Sequence, residues 1–200
     1  QRPLATRADW YVLVRFSGSA PVVDRLAAHL AEASARGTVI DAVVAATPEQ
    51  EQNLWLIRDG LSPPSLFDGR VSALKTDTAV PVDVVATHLT RCHAAVAEIA
   101  PDSVPCSFGH VGDGNIHMHV LVPADQEDRF LEVRPRLRAR LDEITWELGG
   151  TISAEHGVGR ELRERIAGQK SPVEIELMRR VKDMLDSDGL LNPGKTLPAG

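Results

Sequence analysis

Three of the chain's seven histidines fall within ten residues, in the run Gly109-His110-Val111-Gly112-Asp113-Gly114-Asn115-Ile116-His117-Met118-His119. Imidazole changes charge near neutral pH, and its neutral form is a common ligand for zinc and related ions. The cluster could therefore hold a metal ion or move protons. Read as a strand from 115 to 122, the segment sends alternate side chains to opposite faces. Asn115, His117 and His119 then share one face, and Ile116, Met118 and Val120 the other. The apolar set packs on a core, leaving an amide and two imidazoles on a common surface. His110 precedes a glycine turn that could fold it back onto His117. The same histidines could instead bond one another and the sheet. Gly112-Asp113-Gly114 is only a GxG, followed by a strand rather than a helix N-terminus. Tight-turn glycines account for it better than a nucleotide cradle.

A second group, Ser153-Ala154-Glu155-His156-Gly157-Val158-Gly159-Arg160, puts a carboxylate beside an imidazole with glycines around them. Adjacent side chains point apart, so Glu155 and His156 would not serve one ion together. A division of labour follows: Glu155 completes a His/His/carboxylate metal site, and His156 acts as an acid or base. An exposed turn with an ion-pairing glutamate is the plainer alternative.

The elements that must position these groups follow from periodicity and turn signals. Strands are expected over residues 9–16, 38–46, 71–80, 103–108, 115–122 and 151–154, where β-branched and aromatic residues gather or alternate. Helices are expected over 21–36, from Thr47-Pro48-Glu49-Gln50 onward, over 81–99, 125–148 and 172–185. Thr47 is the N-cap of the second, with Gln50 at the capping-box position. Val85, Leu89, His93 and Val96 line one side of the helix over 81–99, and 61–70 is a loop. Mixed hairpins and crossovers favour an α+β fold, a largely antiparallel sheet covered by helices.

Composition excludes several classes. The 200 residues carry a net charge of −6 and are 43% hydrophobic, enough for one domain with a core, or at most two small ones. Basic residues are scattered except for Arg134, Arg136, Arg138 and Arg140 in a helical stretch, most of which should face solvent. An acidic chain without a basic face lacks the electrostatic footprint of nucleic-acid binding. Cys92 and Cys106 have no CxxC spacing, so two reduced, partly buried thiols in a cytoplasmic protein are expected. No apolar run reaches the ~18 residues of a membrane span.

Together, His110-Val111-Gly112-Asp113-Gly114-Asn115-Ile116-His117, Glu155-His156-Gly157-Val158-Gly159 and Leu191-Asn192-Pro193-Gly194-Lys195 resemble the C-terminal half of FAD-linked oxidases and dehydrogenases. That family includes D-lactate dehydrogenase, the glycolate oxidase flavin subunit and D-2-hydroxyglutarate dehydrogenase, with a vanillyl-alcohol-oxidase-type fold. The resemblance implies a ferredoxin-like cap domain spanning 1–200, which binds a D-2-hydroxyacid and a divalent metal, zinc or manganese. It implies that His110, His117 and Glu155 are the metal ligands. It makes His156 the base that takes the substrate hydroxyl proton while hydride leaves C2 for the flavin. Arg58 and Lys75 match positions that hold the substrate carboxylate, and Asn115 orients the turn or touches substrate. His119 stands where many relatives carry Asn; an extra ligand, a substrate contact and an outer hydrogen-bond donor all remain open for it.

The resemblance further implies FAD, bound mainly by an N-terminal domain of the same polypeptide. The chain opens on Gln1, and the expectation is an excised cap domain, inactive alone, whose tail over 188–200 returns to the flavin domain with Asn192 and Lys195 toward the cofactor. A homodimer, an unspecified electron acceptor and membrane association of the longer enzyme are compatible with it. Two readings compete: a self-contained metal hydrolase built on His110, His117 and Glu155, and a non-catalytic binding domain with a degenerate site.

Overall fold

The computed structural model describes residues 4–18, 21–60 and 69–198. Most of the expected 61–70 loop lies outside the described residues. The chain divides into two compact units, Gln1–Leu66 and Phe67–Gly200, each described by itself.

The N-terminal unit contains α1 (Val22–Ala35) and α2 (Pro48–Asp59). Thr47 caps α2 as expected: its hydroxyl accepts from the Gln50 amide at 3.2 Å, and Gln50 Oε1 accepts from the Ala46 amide at 2.7 Å. The two strands expected here do not form. Residues 9–16 and 38–46 join no ladder among the described residues, and Trp10, Val12, Val14, Phe16, Val43 and Val44 are exposed. The physical reason is that β-propensity acts only when a neighbouring strand takes up the backbone groups.

The C-terminal unit is α+β, as expected. Its sheet joins β1 (Arg70–Ala79), β2 (Val104–Phe108) and β3 (Asn115–Pro123) in the order β1-β3-β2, all antiparallel. Helices α3 (Val85–Ile99) and α4 (Glu127–Glu147) cover one face. Leu74, Met118, Val120 and Val122 of the sheet pack there against Cys92, Val96, Ile99, Leu137, Leu141 and Ile144. The buried residues of α3 are Val85, His88, Cys92, Ala95, Val96 and Ile99. Leu89 and His93 sit at its margin, half-buried, with His93 Nε2 2.9 Å from Ser107 Oγ. Both cysteines are free, Cys92 buried and Cys106 half-buried. Arg134 and Arg136 are exposed, but Arg138 is half-buried and donates to the Lys75 carbonyl at 2.6 Å. Steps of two residues travel ~200° around a helix, so four alternate positions cannot share the solvent face.

The strand expected over 151–154 contracts to a single bridge, Thr151 opposite Ala79. Beyond it the Ser153 amide turns back to Thr151 Oγ1 at 3.3 Å and the Ala154 amide reaches the Asp77 carbonyl at 3.4 Å, and the two amides after those bond a side chain of β1, described below. An unexpected helix, α5 (Gly159–Ala167), follows. Its alternating Arg and Glu residues and flanking glycines hide an element that buries only Ile166 and docks through Arg165, paired with the buried Asp142 at 2.5 and 2.7 Å. Last comes α6 (Pro172–Leu185). Its capping box joins Ser171 and Glu174, and Val173, Leu177, Val181, Met184 and Leu185 are exposed along it. No described helix is long and apolar enough to cross a membrane.

Candidate functional site

The face of the sheet opposite α3 and α4 carries the chemistry. Antiparallel register sets His117 opposite Asp77 on one side and Phe108 on the other, and His119 opposite Lys75 and Cys106. Because side chains alternate, Asn115, His117, His119, Lys75, Asp77 and Phe108 share one surface. Gly114, at φ +69°, supplies the left-handed turn into β3, a conformation that suits glycine. A register shift between Ser72 and Leu74 puts Ser72 on the same face as His119, with Ser72 Oγ 3.0 Å from His119 Nδ1. Such an extra residue in one strand re-aims the side chains beyond it.

Glu155 and His156 reach this surface from the Thr151 bridge. The amides of Glu155 and His156 donate to Asp77 Oδ2 at 3.1 and 3.3 Å. Asn115 Nδ2 donates to Asp77 Oδ1 at 2.9 Å. His156 Nδ1 stands 2.8 Å from Asp77 Oδ2, and His117 Nδ1 stands 3.5 Å from Oδ1. On the far side of both rings, Glu155 Oε1 lies 3.2 Å from His117 Nε2 and 3.6 Å from His156 Nε2. His117 is nearly covered (15% exposed) and His156 is open (68%), so the second imidazole is the one an incoming molecule meets.

Electrostatics follow the packing. Burial alone would raise the Asp77 carboxyl pKa. The amide of Glu155, the side chain of Asn115, and the amide and charge of His156 outweigh that and hold it below the usual carboxylate value. Burial, with the charges of Lys75 and His117, pushes the His119 pKa down. His119 therefore presents a neutral ring, packed on Phe108 at 5.3 Å between centroids.

The donor set fits a metal ion. Among the described residues, Asp77, His117 and Glu155 offer ligand atoms within 4.8 Å of one another. A tetrahedral ion with bonds of about 2.1 Å separates its ligands by roughly 3.4 Å; the His117 Nε2 to Glu155 Oε1 distance of 3.2 Å is close to that. Asn115 Oδ1 is buried without a hydrogen-bond partner, which leaves an acceptor at the site for a bound group to satisfy.

The remaining expected site residues are dispersed. His110 is exposed at the end of β2, its carbonyl accepting from Asp113 and Asn115, and lies outside the three-donor group. The 3-10 turn over Val111–Asp113 intervenes before the chain re-enters at Asn115. Lys75 is exposed, two pairs along the register from Asp77 and on the same face. Arg58 is in the last turn of α2, in the other unit, with Asp59 at 3.3 Å. Asn192 (φ +47°) and Lys195 form a turn whose Gly194 carbonyl accepts from Arg163 of α5 at 2.7 Å. Asp77 was missed by sequence reasoning, although a carboxylate two residues from Lys75 in a strand shares its face.

The family described as FAD linked oxidases, C-terminal domain, matches residues 1–196. A D-2-hydroxyglutarate dehydrogenase of Stutzerimonas stutzeri is 34% identical over 98% of this chain and 42% of its own length. The mitochondrial D-2-hydroxyglutarate dehydrogenase of Rattus norvegicus is 35% identical over 96% of the chain and 35% of its own. That of Arabidopsis thaliana, also mitochondrial, is 32% identical over 99% and 34%. The chain thus spans well under half the length of these curated relatives.

Proposed function

The chain belongs to the FAD-linked oxidase C-terminal domain family, and from that premise we propose that it is the substrate- and metal-binding domain of an FAD-dependent dehydrogenase acting on a D-2-hydroxyacid. The observation that carries the reading is the convergence of His117 Nε2, Glu155 Oε1 and His156 Nε2 on one open face of the sheet.

The substrate is a short 2-hydroxyacid of the lactate, glycolate or 2-hydroxyglutarate type; the names of the relatives favour the last. His117 and Glu155, with His110 as the third residue proposed, would hold a zinc or manganese ion, which supplies Lewis acidity toward the α-hydroxyl and carboxylate. Flavin, held mainly by a separate domain of the same polypeptide, supplies the hydride acceptor. This chain's own part is orientation and proton transfer. Lys75 and Arg58 hold carboxylate oxygens, Arg with bidentate geometry available. His156 has Nδ1 occupied by Asp77, so Nε2 accepts the hydroxyl proton as the C2 hydride departs. Neutral His119, braced by Ser72 and Phe108, contacts the substrate chain. Asn192 and Lys195 face the flavin, and the apolar stripe of α6 suits packing against the flavin domain.

The test is metal content and turnover of the full-length flavoprotein beside His117→Ala. The expected result is about one zinc or manganese per chain, lost in the variant. Oxidation of D-2-hydroxyglutarate, D-lactate or glycolate should fall with it. A wild type free of metal yet fully active on these acids would overturn the metal assignment. No oxidation of any 2-hydroxyacid would overturn the substrate class.

A further inference from the structure

We propose that Asp77 is the positioning residue of this site: one carboxylate orients the ring of His156 through its Nδ1 atom and pins the Glu155–His156 turn to β1 beside His117. The use to which the oriented atoms are put rests on the function proposed above; the positioning itself does not.

The argument is one of capacity. A carboxylate has about four lone-pair directions. Asp77 meets Asn115 Nδ2 at 2.9 Å, the amides of Glu155 and His156 at 3.1 and 3.3 Å, and His156 Nδ1 at 2.8 Å. Oδ2 is taken by the two amides and faced by the His156 ring, while Oδ1 accepts from Asn115 and has His117 Nδ1 at 3.5 Å. Asp77 lies within 4.8 Å of the other metal-ligand candidates, but three hydrogen bonds already commit its carboxylate to the fold. It acts instead as the outer carboxylate that fixes the tautomer and ring plane of an imidazole.

The consequence is directional. A His156 ring that gives its Nδ1 proton to Asp77 carries its lone pair on Nε2, on the side where His117 Nε2 also faces Glu155 Oε1. A single side chain therefore points the proton-accepting nitrogen into the space bounded by His117 and Glu155. The same carboxylate takes up the two amides just past the 151–154 segment, those of Glu155 and His156, so a side chain and not a ladder ties this turn to β1. Asparagine is nearly isosteric but cannot substitute. It has one acceptor oxygen, and its NH2 would confront protein donors.

The test needs neither flavin nor turnover. Full-length protein labelled with 15N-histidine is stripped of metal, and long-range 1H–15N correlation reads the tautomer of each ring at mildly alkaline pH. The expected wild-type result is His156 protonated on Nδ1, the atom nearer a carboxylate oxygen. In Asp77→Asn, with circular dichroism confirming the fold, His156 should lose that preference and affinity for zinc alone should fall about 10- to 100-fold. His156 protonated on Nε2 in the wild type would overturn the proposal, and that measurement stands even if the variant fails to fold. A folded Asp77→Asn with unchanged tautomers and zinc affinity would overturn it too. A wild-type His156 protonated on Nδ1 in a protein that takes up no zinc would uphold Asp77 and remove the metal reading.

Discussion

His88 offers the most quantitative check on this packing. It is 3% exposed between α3 and α4, with Nε2 3.0 Å from Thr145 Oγ1. The Thr145 hydroxyl already donates its proton to the Leu141 carbonyl at 2.9 Å, so His88 must be the donor and Thr145 the acceptor. A neutral ring protonated on Nε2 satisfies this geometry. A second proton would place a buried charge with Arg91 as a nearby cation, and burial first, then Arg91, pushes the His88 pKa down to about 4. The folded pKa lies below the unfolded value, so the native state binds fewer protons than the unfolded state across the gap. The stabilisation is fully present above about pH 6.5 and is lost as the pH falls toward 4. A gap of about 2.5 pH units corresponds to roughly 3 kcal/mol at 1.36 kcal/mol per unit. His88→Gln keeps a donor for Thr145 but cannot titrate. Urea unfolding of both proteins at pH 7 and pH 4 should show the wild type losing about 3 kcal/mol more than the variant. Equal losses would mean that His88 is not buried neutral, and the α3–α4 packing described here would be wrong.

Two further substitutions probe the frame around the site. Gly114→Ala would force alanine into a left-handed conformation, with its Cβ colliding with the Val80 carbonyl oxygen. A loss of at least ~2 kcal/mol in denaturant unfolding is expected, together with weaker zinc uptake as Asn115 and His117 move; unchanged stability would contradict the turn. Asp142→Asn leaves Arg165 without its carboxylate in a site where Asp142 is 4% exposed. It should cost about 3 kcal/mol, read as a lower thermal midpoint, and a neutral effect would show that α5 docks by other means.

The histidine face of β3 was legible because alternation is a local property: a strand through Asn115, His117 and His119 presents all three together whatever its partners. The Thr47 cap was legible for the same reason, its donors and acceptors lying within four residues. Residues 9–16 and 38–46 show the converse. Their β-branched and aromatic content is local, but a ladder needs a second strand, and among the described residues none is supplied. On α3, hydropathy pointed to Leu89 and His93, whereas packing against α4 rotates His88 and Cys92 into the core. A polar side chain can take that place because Thr145 meets it across the interface.

Local pattern alone carries the residue types that could do this chemistry, the strand face that holds Asn115, His117 and His119, and the motifs of the family. It did not reveal which carboxylate organises them. Asp77 faces His117 only through an antiparallel register spanning forty positions, and it meets Glu155 and His156 only through the Thr151 bridge. The one-residue shift near Ser72 likewise decides which side chain braces His119. These are hydrogen bonds between residues distant in the chain. They form only when the core beneath the sheet selects one register, and no short-range pattern encodes that choice.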